Sequence, residues 1–296
     1  MSLTNKIDFA VVFRVQNANP NGDPLNGNRP RVAYDGTGEV TDVCLKRKIR
    51  NRLMEMNMPI FVQSDDNKVD KHPNLKSRAN EVLSAEKTVE GKIDKACKTW
   101  FDVRTFGQVF PFKAQKKGKG KEAEETSDDK GTSFGIRGPV SVQSAFSVSS
   151  VLNSVTSNQI TKSTSLEGDG IQRQSDQMGM KHRVDRGIYV FYGSMNPQLS
   201  VKPGFSDKDA AAIKAVLPRL FENDASSARP EGSMEVLKVV WWQHNCASGQ
   251  ASSAKVHRSM IVKDTDDLNN LLSFEPGKGP IDSSGNWPKP EIIEGV

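Results

Sequence analysis

The chain has 296 residues, 35% hydrophobic and 26% charged, a polar composition that still carries enough apolar side chains for a packed core. No apolar run reaches the roughly 18–20 residues of a membrane helix, and the N-terminal MSLTNKIDFA has neither the apolar stretch nor the cleavage site of a secretory signal. Three widely spaced cysteines, Cys44, Cys97 and Cys246, exclude a disulfide scaffold and a cysteine-rich zinc site and fit a reducing cytoplasm.

Ile7 to Val15 alternates. Ile7, Phe9, Val11, Phe13 and Val15 share one face, while Asp8, Ala10, Val12 and Arg14 share the other, so a central strand is predicted. It runs into a loop, Asn17 to Asn28, dense in Asn, Gly and Pro. Thr41 then N-caps a helix running to about Asn57, with Asp42 in its first turn. Leu45, Ile49, Leu53 and Met56 form its apolar stripe, Lys46, Arg47 and Arg50 fall on another face, and Arg52 snorkels beside the stripe. A second helix is predicted from Arg78 to Trp100. Residues 113–130, KAQKKGKGKEAEETSDDK, read as a low-complexity surface loop.

Gly131 to Val148 is glycine-rich and then strand-like. Residues 150–180 are too polar to make a core and project as a hairpin or ordered arm. Ile188 to Gly193 is a strand, and Ser206 to Phe221 a helix kinked or ended by Pro218. Met234 to Trp242 is another strand, Asp266 to Leu272 a short helix, and a Pro/Gly-rich tail follows. This order predicts an α+β fold, a ferredoxin-like split βαβ core with large insertions. Two helices cover one sheet face and leave the other free to carry RNA.

The net charge of +5 hides an asymmetry. From Asp264 onward seven acidic residues stand against two basic ones, leaving 39 basic against 29 acidic in the rest. A basic body points to a polyanionic partner, although such a surplus is also common in soluble proteins. Within it, Asn19, Asn21, Gly22 and Asp23 can press amides and backbone N–H groups against phosphate or base edges, or simply build turns. Asp23 is also a candidate metal or acid–base group, the less favoured alternative. Lys46, Arg47 and Arg50, with Arg29 and Arg31 beside them, suit phosphate contacts from a rigid element, or a solvated face. Gly135, Arg137 and Gly138 allow close backbone approach to a ligand, or mark ordinary turns. No Walker A loop, GxGxxG, GxSxG or HExxH is present, and His244 with Cys246 reads as strand-end packing.

Three segments, IDFAVVFRVQNANPNGDP, RPRVAYDGTGEVTDVCLKRKIRNRL and FGIRGPVSVQSAFSV, resemble the Cas seven family, and more narrowly its type I-C (Csd-two) backbone subunit. The resemblance implies a modified RNA-recognition palm over residues 1–59, 131–149 and 183–296. It adds a finger-type insertion over 60–130 and a thumb-type arm over 150–182. It implies several copies stacked along one CRISPR RNA in a Cascade surveillance complex, with Cas five-type, Cas eight-type and small subunits as partners. The thumb displaces bases at regular intervals, and the rest of the guide stays free to pair with target DNA. Leu166, Met178 and Met180 are the candidates for the wedging residue. The family implies no cofactor and no catalysis in this subunit. A metal-dependent endoribonuclease using Asp23 is the alternative.

Overall fold

The protein is described by a computed structural model covering residues 2–111, 133–163 and 177–296. β1 (Ile7–Ala18) leads into a short ribbon, β2 (Gly22–Asp23) paired with β3 (Arg29–Pro30), and then into β4 (Thr37–Val40) and helix α1 (Asp42–Glu55). Helices α2 (Leu75–Leu83), α3 (Val89–Thr99) and α4 (Phe101–Phe106) precede a strand pair, β5 (Gly107–Phe110) with β6 (Phe134–Arg137). Strands β7 (Val140–Val142), β8 (Ala145–Ser150), β9 (Val155–Ser163) and β10 (Gln177–Met195) follow, then α5 (Pro197–Ser200), α6 (Asp207–Val216) and β11 (Met234–Gln243). The chain closes with α7 (Ser253–Arg258), the pair β12 (Met260–Val262) and β13 (Leu272–Phe274), and β14 (Pro290–Glu294).

These strands build one antiparallel sheet in the order β14-β11-β1-β10-β8-β4. The predicted central strand is central: Val11 lies opposite Phe191 on one side and Val239 on the other. Its Phe9, Val11, Phe13 and Val15 face a core roofed by α1 (Leu45, Ile49, Leu53) and α6 (Ala210, Ile213, Val216). Offset rings add to the burial, Phe13 on Tyr189 at 5.3 Å and Phe9 on Trp241 at 5.8 Å.

The opposite sheet face is not open, which corrects the expectation of a free surface. Ala10, Val12, Ile188, Val240 and Trp242 lie under Val256 of α7, Met260 of β12 and Leu271. The reason was in β1 itself: Ala10 and Val12 are apolar and have no exposure, and such a face demands a cover. A third, separate apolar cluster gathers Phe61, Leu83, Cys97, Trp100, Phe110 and Phe134 from residues 60–111 and β6.

Three elements differ from the sequence reading. The helix expected over 78–100 is two helices, because Asn74 and Thr88 each cap a new start, accepting from Ser77 N at 2.9 Å and Gly91 N at 3.0 Å. Residues 266–272 are turns leading into β13, since the Asp267 carboxylate accepts from Asn269 N (3.0 Å) and Asn270 Nδ2 (2.6 Å) and competes with a helix. The tail adds an edge strand, β14, held by Lys238–Glu294 (2.7 Å) and Lys214–Glu291 (2.6 Å). Pro218 does end α6, which runs only to Val216 behind a Ser206–Asp209 capping box. Among the described residues no helix is long and apolar enough to cross a membrane.

Candidate nucleic-acid interface

The Asn-rich loop folds on its own side chains. Asn19 is buried, and its Nδ2 donates to Asn28 O at 2.7 Å while its backbone N–H donates to Ala228 O at 2.9 Å. Asn21 Oδ1 accepts from both Thr41 N and Thr41 Oγ1 at 3.0 Å, tying the loop to the residue that caps α1. Gly22 lies against the Asn28 amide, which a Cβ there would displace. Asp23 accepts from Leu25 N (3.2 Å) and pairs with Arg31 (3.4 Å). The residue types predicted to touch a ligand are therefore largely spent on shaping the loop. The loop tip from Pro24 to Arg29 is exposed, with Leu25 at 96%, and Arg29 is its cation.

The cations of α1 are brought together but are engaged by protein. Lys46 pairs with Asp42 at 2.9 Å one turn back. Arg47 donates to Val62 O at 2.8 Å, and burial, with the neighbouring Arg50 charge, pushes its guanidinium below the ordinary value. Arg50 Nε donates to the buried Asp102 carboxylate at 3.0 Å and its guanidinium lies 5.1 Å over the Phe106 ring. These side chains join α1 to residues 60–106.

Gly138 and Gly135 separate in role. A Cβ on Gly138 would overlap the backbone of Thr105 to Gly107, so its close approach is to the chain itself; Gly135 faces open space. Arg137 is exposed and makes no ion pair with another described residue. Met180 on β10 is 57% exposed, Met178 lies in the same strand, and Leu166 lies outside the described residues, as do residues 113–130. β9 pairs antiparallel with the first part of β10, Lys181 opposite Asn158.

A model for the CRISPR-associated protein Cas7 matches residues 5–278. The chain belongs to the Cas7 family. A curated CRISPR-associated protein Cas7 from Haloferax volcanii is 26% identical over 247 residues, 81% of this chain and 71% of that protein. Two solved chains are similar at 14% identity. One is described as a CRISPR RNA-guided surveillance complex, pre-nicking, with a TM-score of 0.48 over 89% of this chain and 85% of that one. The other, a CRISPR RNA-guided surveillance complex, has a TM-score of 0.42 over 89% and 78%.

In this Cas7 chain a cavity of about 350 Å³ lies between the Asn-rich loop and the start of β9, lined by Asp23, Arg29, Arg31, Glu39 and Leu152 among others. Arg29 also reaches the β9–β10 pair electrostatically: burial first, then the Arg29 charge, lowers the His182 imidazole. The sequence reading missed Lys48. It is 3% exposed and ion-paired with Asp224, which also accepts from Arg229 Nε at 3.1 Å. Its position three residues after Leu45 and one before Ile49 puts it on the core face, a signal available in the helix period.

His244 packs at the strand end as expected and also bonds. Its Nδ1 accepts from Gln250 N at 2.8 Å, so its Nε2 donates to Asp8 at 2.9 Å. His257 Nε2 stands 3.5 Å from the same carboxylate. Burial pushes the Asp8 carboxyl up, but hydrogen bonds from His244, His257 and Ser253 and the Lys6 charge outweigh it, leaving the group below the ordinary range. A carboxyl lowered by folding contributes stability above about pH 4 and loses it as pH falls. Asp8→Asn is therefore expected to melt below the parent at pH 7, with the gap constant down to about pH 4 and starting to narrow only below it. Thermal melts in which the gap already narrows between about pH 7 and pH 5, or does not narrow between about pH 4 and pH 2.5, would contradict this. Among the described residues no group of three or more His, Cys, Asp or Glu is placed to hold a metal.

Proposed function

We propose that this chain is a non-catalytic backbone subunit of the type I-C kind, several copies of which assemble along a CRISPR RNA in a Cascade surveillance complex. Each copy presents the guide for pairing with target DNA, alongside Cas five-type, Cas eight-type and small subunits in the cytoplasm. The observation that carries this reading is the family match across residues 5–278. The fold supports it: the order β11-β1-β10-β8, with α1 after β1 and α6 before β11 roofing one face, is the order of a ferredoxin-like palm. The separate cluster of residues 60–111 suits a finger-type insertion, and the β9–β10 pair suits the root of a thumb over 150–182. Arg29 and Arg137 are the site residues whose cations are free to meet phosphate, while Asn19, Asn21, Gly22, Asp23, Arg47 and Arg50 hold the elements that carry them.

The test is equilibrium binding of the purified chain to unrelated single-stranded RNAs across a salt series. The expected result is similar affinity for every sequence and log K falling with log salt by about 0.7 per phosphate contact. Arg29→Ala and Arg137→Ala should weaken all sequences alike and reduce that slope. Absence of salt-sensitive binding would leave a protein-only scaffold. Regular cleavage that needs a divalent ion and disappears in Asp23→Ala would make the chain a ribonuclease instead.

A further inference from the structure

Tyr34 is the most exposed aromatic among the described residues, at 108% of its reference surface, and Phe146, at 42%, is next. Aromatic side chains bring a large apolar surface that folding normally buries. Nor does Tyr34 sit on a loose end. The turn that carries it is closed by Ala33 N to Thr37 O (2.7 Å), Gly36 N to Ala33 O (3.0 Å), and Thr37 N and Oγ1 to Asp35 Oδ1 (3.0 and 2.6 Å). Gly36 takes φ +85°, which only glycine adopts without strain. Five residues are thus fixed around a ring left fully exposed among the described residues.

The turn also has an address. Val151 N and Ser150 Oγ donate to Gly36 O at 2.9 and 3.1 Å, and a Cβ on Gly36 would press on Leu152. Leu152, itself 60% exposed, lines the cavity that Arg29 and Arg31 share with Asp23 and Glu39. That cavity holds two cations and two carboxylates, with Asp23 against Arg31. Two carboxylates inside repel a phosphate but accept from the amino and imino edges of a base. The volume, about 350 Å³, is that of a small-ligand site.

We propose that Tyr34 and the cavity beside Leu152 form a station for a base of single-stranded RNA: the ring stacks on a base, the cavity takes its polar edge, and Arg29 at the rim meets the adjoining phosphate. The proposal rests on the RNA-binding reading above and adds to it a contact that needs bases, not backbone alone. Stacking is sequence-tolerant, since every base has a π-face, so it is compatible with carrying any guide.

The experiment compares the full chain, Tyr34→Ala and Tyr34→Phe on two probes of equal length, a mixed-sequence single-stranded RNA and an abasic ribose-phosphate oligomer. Tyr34 is fully exposed, so both variants should keep the parent melting temperature. The expected result is a loss of roughly 5- to 150-fold on the base-bearing RNA for Tyr34→Ala, little loss for Tyr34→Phe, and no difference among the three on the abasic probe. Unchanged RNA affinity in Tyr34→Ala, or an equal loss on both probes, overturns the station while leaving the RNA reading intact. Altered sedimentation of RNA-free Tyr34→Ala with unchanged RNA affinity overturns it too, and assigns the ring to contact between copies. A parent chain with no salt-sensitive affinity for RNA removes the RNA reading and the station together.

Discussion

Asp102→Ala is expected to destabilise the protein by about 3–5 kcal/mol, seen as a fall in melting temperature of about 6–10 °C at roughly 2 °C per kcal/mol for a chain of this length. The carboxylate is 1% exposed and serves three donors: Phe61 N at 2.7 Å, Val62 N at 3.0 Å and Arg50 Nε at 3.0 Å. Alanine would leave one buried amide, one part-buried amide and a largely buried guanidinium without this acceptor, and each orphaned donor carries its own desolvation cost. Asp102→Asn keeps an oxygen for the amides but loses the charge facing Arg50, so it should fall between the two. The damage has a predicted location, because Asp102 joins α1 to the separately cored residues 60–111. Limited proteolysis should cut the Ala variant first within that segment. A loss under about 1 kcal/mol, or first cuts elsewhere, would show that the two units are held by their apolar contact alone.

The same carboxylate marks where sequence reasoning stopped. Local signals were readable: the alternation of β1, the Thr41 cap, the turn chemistry of the Asn-rich loop and the stop at Pro218 all follow from neighbours a few residues apart. The engagement of Arg50 by a residue 52 positions away, and of Lys48 by one 176 positions away, leaves no periodic trace. The clustered cations of α1 therefore read in sequence as a phosphate-contacting or solvated face, and in the fold they have protein partners. Asn21 repeats the lesson, since its partner, Thr41, lies twenty residues on. The covered second face was legible in principle: Ala10 and Val12 alternate as cleanly as Phe9 and Val11, and an apolar face on a central strand needs a partner layer. Tyr34 was invisible as a distinct feature, because exposure is a property of the turn that holds it.

Asp224→Ala is the second substitution with a large expected effect, and it separates two views of the interface. Lys48 is nearly fully buried and its ammonium is matched by Asp224, which also holds Arg229. Removing the carboxylate strands a buried cation and is expected to cost about 3–5 kcal/mol. Lys48→Met in the same background should recover most of that loss, because an apolar side chain of similar length fits the site without a charge to desolvate. The functional consequence runs against simple electrostatics. Deleting one negative charge from a basic surface should tighten polyanion binding. Yet Arg229 and the adjoining Ala228, whose carbonyl receives Asn19 N, help fix the loop that displays Arg29. Loss of that fixture should weaken RNA binding despite the added positive charge, and Lys48→Met, which supplies no acceptor for Arg229, should restore stability without restoring affinity. Melting and binding curves of the single and double variants decide the matter: tighter binding by Asp224→Ala would mean that net charge, not the set of the loop, governs the contact.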